Sequence, residues 1–193
     1  MKAILISIKP KWCAKIMNGD KTIEVRKGTA LYKAIQKLID EYGFAEFYVY
    51  CTKDEKQGLV WDNNGKGLVN SKLFPYSKGS PEHKRLINGK VIFKFRCYKV
   101  EELFIKYGVG WQTKTIKGKE QVEKLTQLSV FQLFEYCGRK TNTAIHISDL
   151  EIFDKPKELS EFSTIVKPYK PTYRLTKAPQ SWQYIDIEKS THK

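Results

Sequence analysis

Lys21, Thr22, Glu24 and Arg26 fall within one short stretch, Gly-Asp-Lys-Thr-Ile-Glu-Val-Arg-Lys, from Gly19 to Lys27. Side chains alternate along a strand, so Ile23 and Val25 face a core while Thr22, Glu24 and Arg26 share the opposite face. Two chemistries fit. As a solvated edge, the Glu24–Arg26 pair contributes little, about 0–1 kcal/mol. As the floor of a cleft, Lys21 and Arg26 would hold a phosphate or a base carbonyl. Glu24 would then accept from a base N–H or work as a general base. In an enzyme, Lys21 and Glu24 would be the catalytic pair. Lys9 adds a further cation to this constellation.

The second candidate is Trp182 with Ser181, flanked by Gln180 and Tyr184. Tryptophan near a chain end either plugs the core or offers a wall for base stacking, worth about 1–3 kcal/mol per base. In the second case Ser181 would read a base edge. Trp61 and Trp111 stand in loop-like, lysine-bearing sequence, which suits single-stranded nucleic acid or packs the loops down. Basic clusters recur at Lys84 and Arg85, at Lys114, Lys117 and Lys119, and at Lys167, Lys170, Arg174 and Lys177. They fit contact with a nucleic-acid backbone or a solvated surface. His146, on a strand beside Ile145 and Ile147, reads as a structural histidine on a barrel face, and it is the one histidine to consider as a general base. The histidines are too scattered for a metal site, and Cys13, Cys51, Cys97 and Cys137 are too widely spaced for zinc. They read as free, buried thiols. No metal ligand set or cofactor motif is expected, and no phosphate-loop, dinucleotide or hydrolase-elbow motif occurs.

These residues need elements to hold them. The pattern predicts a first strand over Ala3–Ile8, a helix from Pro10 that Gly19 ends, and a strand over Thr22–Arg26. A helix follows over Ala30–Tyr42, stopped by Gly43, then a strand from Ala45 to Thr52. Residues 53–88 carry turn and loop chemistry and read as a loop-rich insert. One long strand is expected over Gly89–Leu103, followed by an irregular basic stretch to Gly118. A helix broken at Ser129 comes next, with Ser129 capping a segment that Gly138 closes. A strand pair interrupted near Ser148 and Asp149 and a short terminal strand complete the pattern. Helices between strands with mixed connections indicate α+β, a small curved sheet or β-barrel with peripheral helices. The chain reads as one domain over residues 1–193.

Lys and Arg total 35 against 21 Asp and Glu, a net charge of +14, which points to a polyanionic partner, nucleic acid first. No signal peptide and no run of about 20 apolar residues is found, so no membrane span is expected and the reading is cytoplasmic.

The stretch Ser-Ile-Lys-Pro-Lys-Trp-Cys-Ala-Lys-Ile-Met-Asn-Gly-Asp-Lys-Thr-Ile-Glu-Val-Arg-Lys resembles the opening of ASCH domains, of the PUA-like superfamily. Gly19, Lys21, Thr22, Glu24 and Arg26 match the G-x-K-T-x-E-x-R pattern position by position. The segments His146–Phe162 and Ala178–Ile187 resemble small ASCH proteins of phages and prophages. The resemblance implies a small β-barrel with a cleft over the motif strand that takes RNA or a modified nucleoside. It also implies two alternatives. One is an enzyme on that ligand, either a ribonuclease requiring a divalent metal or an N4-acylcytidine amidohydrolase. The other is a phage adaptor that binds a host protein. In the amidohydrolase branch a threonine stands three positions after the motif lysine. Here that position holds Glu24, and a carboxylate is not a hydroxyl nucleophile.

Overall fold

In this computed structural model the described residues are 1–54, 57–60, 72–74, 86–106, 110–165 and 173–187. They fall into two compact units. The first comprises Met1–Asn18, Glu46–Phe95 and Leu150–Lys193; the second comprises Gly19–Ala45 and Arg96–Asp149.

The first unit is organised by a mixed sheet. Strand β1 (Lys2–Ile8) pairs parallel with β3 (Ala45–Cys51) and antiparallel with β12 (Trp182–Asp186). All but the first residue of β1 are buried, and all of β3 is, which explains their near-continuous apolar runs. With β6 (Val91–Cys97), β10 (Ser148–Lys157) and β11 (Ser163–Thr164), the order is β10-β6-β3-β1-β12-β11. Helix α1 (Pro10–Met17) has proline in its first turn and buries Cys13, Ala14, Ile16 and Met17. Ala3, Leu5, Tyr48, Tyr50, Val91, Phe153, Phe162, Leu175 and Ile185 form one core cluster. Most of the expected insert lies outside the described residues, Trp61 and the Lys84–Arg85 cluster included. Within it, β4 (Gly58–Val60) and β5 (Lys72–Phe74) pair antiparallel.

The second unit contains β2 (Ile23–Arg26), β7 (Val100–Lys106), β8 (Gly110–Gln112) and β9 (Asn142–His146), in the order β2-β9-β7-β8. Helix α2 (Ala30–Tyr42) buries Leu31, Ala34, Ile35 and Leu38, and its cap Gly43 has φ of 80°, a left-handed conformation that favours glycine. Helices α3 (Lys119–Thr126) and α4 (Val130–Cys137) follow. Ser129 caps α4 with a reciprocal Ser129–Gln132 pair, accounting for the expected break. Ile23 and Val25 pack with Leu103, Trp111, Ile116, Val122, Leu133 and Ala144.

The α+β class holds. The barrel alternative does not, since the strands lie in open sheets among the described residues. The expected strand over Gly89–Leu103 is two strands, β6 and β7. A single alternation would carry Lys99 onto the buried Val91–Phe95 face; instead the chain breaks at Tyr98 and Lys99, and both are exposed. Trp111, expected in a loop, is 1% exposed in the core of the second unit. All four cysteines are free and buried; burial pushes Cys97 up to about 12 and Cys137 up to about 11. No helix among the described residues is long and apolar enough to cross a membrane.

Ser129→Ala removes one side of the α4 cap. It should cost about 1 kcal/mol, read as a lowered midpoint in chemical denaturation with an unchanged slope.

Candidate functional site

Strand β2 opens at the C-terminal end of α3, and that junction organises the site. The backbone N–H of Thr22 donates to the Leu125 carbonyl at 3.1 Å. Lys21 Nζ donates to the carbonyls of Thr126 at 2.6 Å and Ile23 at 2.8 Å. The ammonium therefore satisfies a carbonyl the helix end leaves open and places positive charge at the negative end of its dipole. Lys21 Nζ also lies 3.4 Å from Glu24 Oε2. The other carboxylate oxygen, Oε1, lies 3.0 Å from Arg26 Nε. Lys21 is 2% exposed and Glu24 6% exposed, while the Arg26 side chain reaches 11%. The three residues form a chain of alternating charge running from the interior toward the strand edge.

Further groups border Arg26. Lys27 Nζ sits 4.8 Å above the ring of Tyr136 on α4. Burial pushes the Tyr136 hydroxyl up; Arg26 pulls it down and Glu24 pushes it up. Tyr136 is thus a protonated donor within the electrostatic reach of both. Phe131, Phe134 and Tyr136 are exposed on α4, with Arg139 and Lys140 exposed just beyond it. The apolar excess on α4 was the available signal for this surface.

Of the candidates read from sequence, Lys21, Glu24 and Arg26 are brought into contact, and Thr22 is exposed beside them. Lys9, Ser181 and Trp182 belong to the first unit. Lys9 is exposed at the cap of α1, its carbonyl accepting from Trp12 and Cys13. The Ser181 carbonyl accepts from the Ser7 N–H at 2.9 Å. Trp182 is half-buried opposite Ile6, edge-on to Tyr184 at 5.6 Å. Lys167 and Lys170 lie outside the described residues; Lys114, Lys117, Lys119, Arg174 and Lys177 are exposed.

His146 enters a second polar cluster in the same unit. Its Nε2 lies 2.7 Å from Glu101 Oε2. Glu101 also accepts from the Thr115 N–H at 2.9 Å and its hydroxyl at 2.8 Å, and lies 3.2 Å from Lys99 Nζ. Burial pushes the Glu101 carboxyl up, but the hydrogen bonds from Thr115, His146 and Lys99 outweigh it and hold it down to about 2. Its partners come from three separate segments, so no local pattern marked it. Among the described residues no group of three His, Cys, Asp or Glu is arranged to hold a metal ion.

Two outcomes follow. Lys21→Met leaves Glu24 without one of its two cations and the α3 carbonyl without its donor. It should destabilise the fold by roughly 3–5 kcal/mol in denaturant unfolding. Glu101 has a folded pKa below its usual 4.5, so its stabilisation is complete above that value and is lost as pH falls toward 2. That stabilisation is roughly 3 kcal/mol at neutral pH. Glu101→Gln should remove most of it and flatten the fall in stability between about pH 4.5 and 2.

No protein-family model matches the chain, and no curated protein does. Solved structures do. The ASCH protein of Zymomonas mobilis superposes with a TM-score of 0.51 at 15% identity, over 97% of this chain and 90% of that one. A variant of it with one tyrosine replaced by phenylalanine gives 0.54 at 17%, over 98% and 94%. Another, with one serine replaced by alanine, gives 0.51 at 16%, over 97% and 91%. The chain therefore has the ASCH fold over nearly its whole length.

Proposed function

We propose that the chain acts as one PUA-like domain that binds single-stranded RNA on the motif-strand face of its second unit. Arg26 and Lys27 would contact phosphate, and Tyr136 would stack a base. The carrying observation is the ordered charge chain beside that ring. Lys21 spends its donors on two carbonyls and on Glu24, so it acts by fixing the carboxylate. Glu24 in turn fixes the guanidinium. A planar cation held by a carboxylate suits a phosphate oxygen. An aromatic ring between cations suits a base of any identity. The net charge of +14 supports the same class of partner. Both oxygens of Glu24 face cations, which favours orientation over proton transfer. This supports binding ahead of turnover by Lys21 and Glu24.

The test is fluorescence anisotropy with labelled single-stranded RNA across a salt series, the same samples being resolved for cleavage with and without divalent metal. Affinity should fall with salt, by about 0.7 log units per log unit of salt for each phosphate contact. Tyr136→Ala should weaken binding by about 1–3 kcal/mol, and Lys27→Ala should lower the salt slope by about one contact. Affinity unchanged in both variants would overturn this placement. Cleavage lost in Glu24→Gln would make the protein a ribonuclease instead. No binding to RNA, with binding to an N4-acylated cytidine, would favour the nucleoside ligand.

A further inference from the structure

The first unit contains a cleft of about 600 Å³. Its walls are the end of β3 and the residues after it, the Gly89 turn, the helical turn Leu159–Glu161 and the stretch from Leu175 to Ala178. That volume is typical of a small-molecule site. Leu159, Leu175 and Ala178 give it an apolar side. Tyr50, Lys53, Ser160, Thr176 and Lys177 give it side-chain donors.

Those donors are uncommitted. Neither Lys53 nor Lys177 has a carboxylate partner among the described residues, and the Tyr50 hydroxyl has no hydrogen-bond partner there, although Tyr50 is only 6% exposed. Glu158, the carboxylate among the lining residues, is paired with Lys90, whose Nζ lies 3.1 Å from its Oε1. Lys53 is also held in place. A Cβ on Gly89 would come within 3.1 Å of its Cε and 3.2 Å of its Cγ, so glycine lets the lysine stem lie against the turn. Burial first, then Cys51 and Glu158, keep the Tyr50 phenol above its usual range, so it remains a donor.

We propose that this cleft binds a small organic phosphate: a phosphoryl group held by Lys53, Lys177 and the Tyr50 hydroxyl, with its apolar body against Leu159, Leu175 and Ala178. Two ammonium groups and three hydroxyls supply more donors than the two oxygens of a carboxylate take up, and a phosphomonoester offers three terminal oxygens. The site lies wholly within the first unit and is independent of the RNA reading.

The test is isothermal titration of the full chain with phenyl phosphate, with inorganic phosphate, benzoate and phenol as comparisons. Phenyl phosphate should bind saturably. Lys53→Ala and Lys177→Ala, at exposed positions and with unchanged melting temperatures, should each weaken it about tenfold. Tyr50→Phe should weaken it several-fold, and each comparison compound should bind about tenfold less tightly or worse. Absence of saturable binding, or affinity unchanged from the unsubstituted chain in both lysine variants, would overturn the site. Benzoate binding as well as phenyl phosphate would overturn the phosphate assignment. Loss of RNA binding in Tyr136→Ala leaves these titrations unchanged, so the two readings fail separately.

Discussion

A lysine ammonium that is 2% exposed has to be matched donor for donor, or the fold around it is not stable. Lys21 meets that demand with the carbonyls of Ile23 and Thr126 and the carboxylate of Glu24. Three consequences follow. The end of α3 is tied to the start of β2, across 105 residues of sequence. Glu24 is drawn inward, because a buried cation needs a buried anion. The charge of the group is then two cations against one anion. Its surplus must sit where water can reach it, and Arg26 is the member nearest the surface. One buried charge thus decides where the usable charge appears.

The same sheet manages a second buried carboxylate on its other face. Register pairs Glu24 with Ile145, and Ile145 with Val100. It pairs Val25 with Ala144, and Ala144 with Glu101. Glu101 therefore shares the face of Val25, opposite Glu24. Glu24 is neutralised by cations, whereas Glu101 is satisfied largely by hydrogen bonds, including two from Thr115. This latches the segment after β8 onto β7. Cys97 and Cys137, raised by burial, stay protonated and act as small apolar side chains.

Local pattern made the helices legible. The spacing of Leu31, Ala34, Ile35 and Leu38 with Gly43 behind them defined α2, and Ser129 with Gln132 marked the break before α4. The strand face carrying Glu24 and Arg26 was legible from alternation alone. What escaped depended on partners far along the chain. Nothing near Lys21 shows that the Thr126 carbonyl takes one of its protons. Nothing near Val91 shows that β6 must end at Cys97 so that β7 can pair with β9. Trp111 looked like a loop residue because its strand has only three residues, and its burial comes from a cluster that β2, β7, β9, α3 and α4 build together.

A shared fold at 15–17% identity carries backbone, not ligand chemistry, so the ligand has to be argued from side chains. Charge pairing narrows that argument. Lys21, Arg26, Lys90, Lys94, Arg96 and Lys99 each face a carboxylate, so these six cations are balanced locally. Lys27 in the second unit has no such partner among the described residues, and neither do Lys53 and Lys177 in the first. Each setting combines a tyrosine with at least one such cation, over one ring in the second unit and along one cleft in the first. They differ in shape. Tyr136 stands on an open helix surface among other exposed aromatics, where a polymer can pass in either direction. Tyr50 lines a cleft of about 600 Å³, a volume in the range of small-molecule sites. The proposals of a polymer ligand for one unit and a small-molecule ligand for the other rest on that difference.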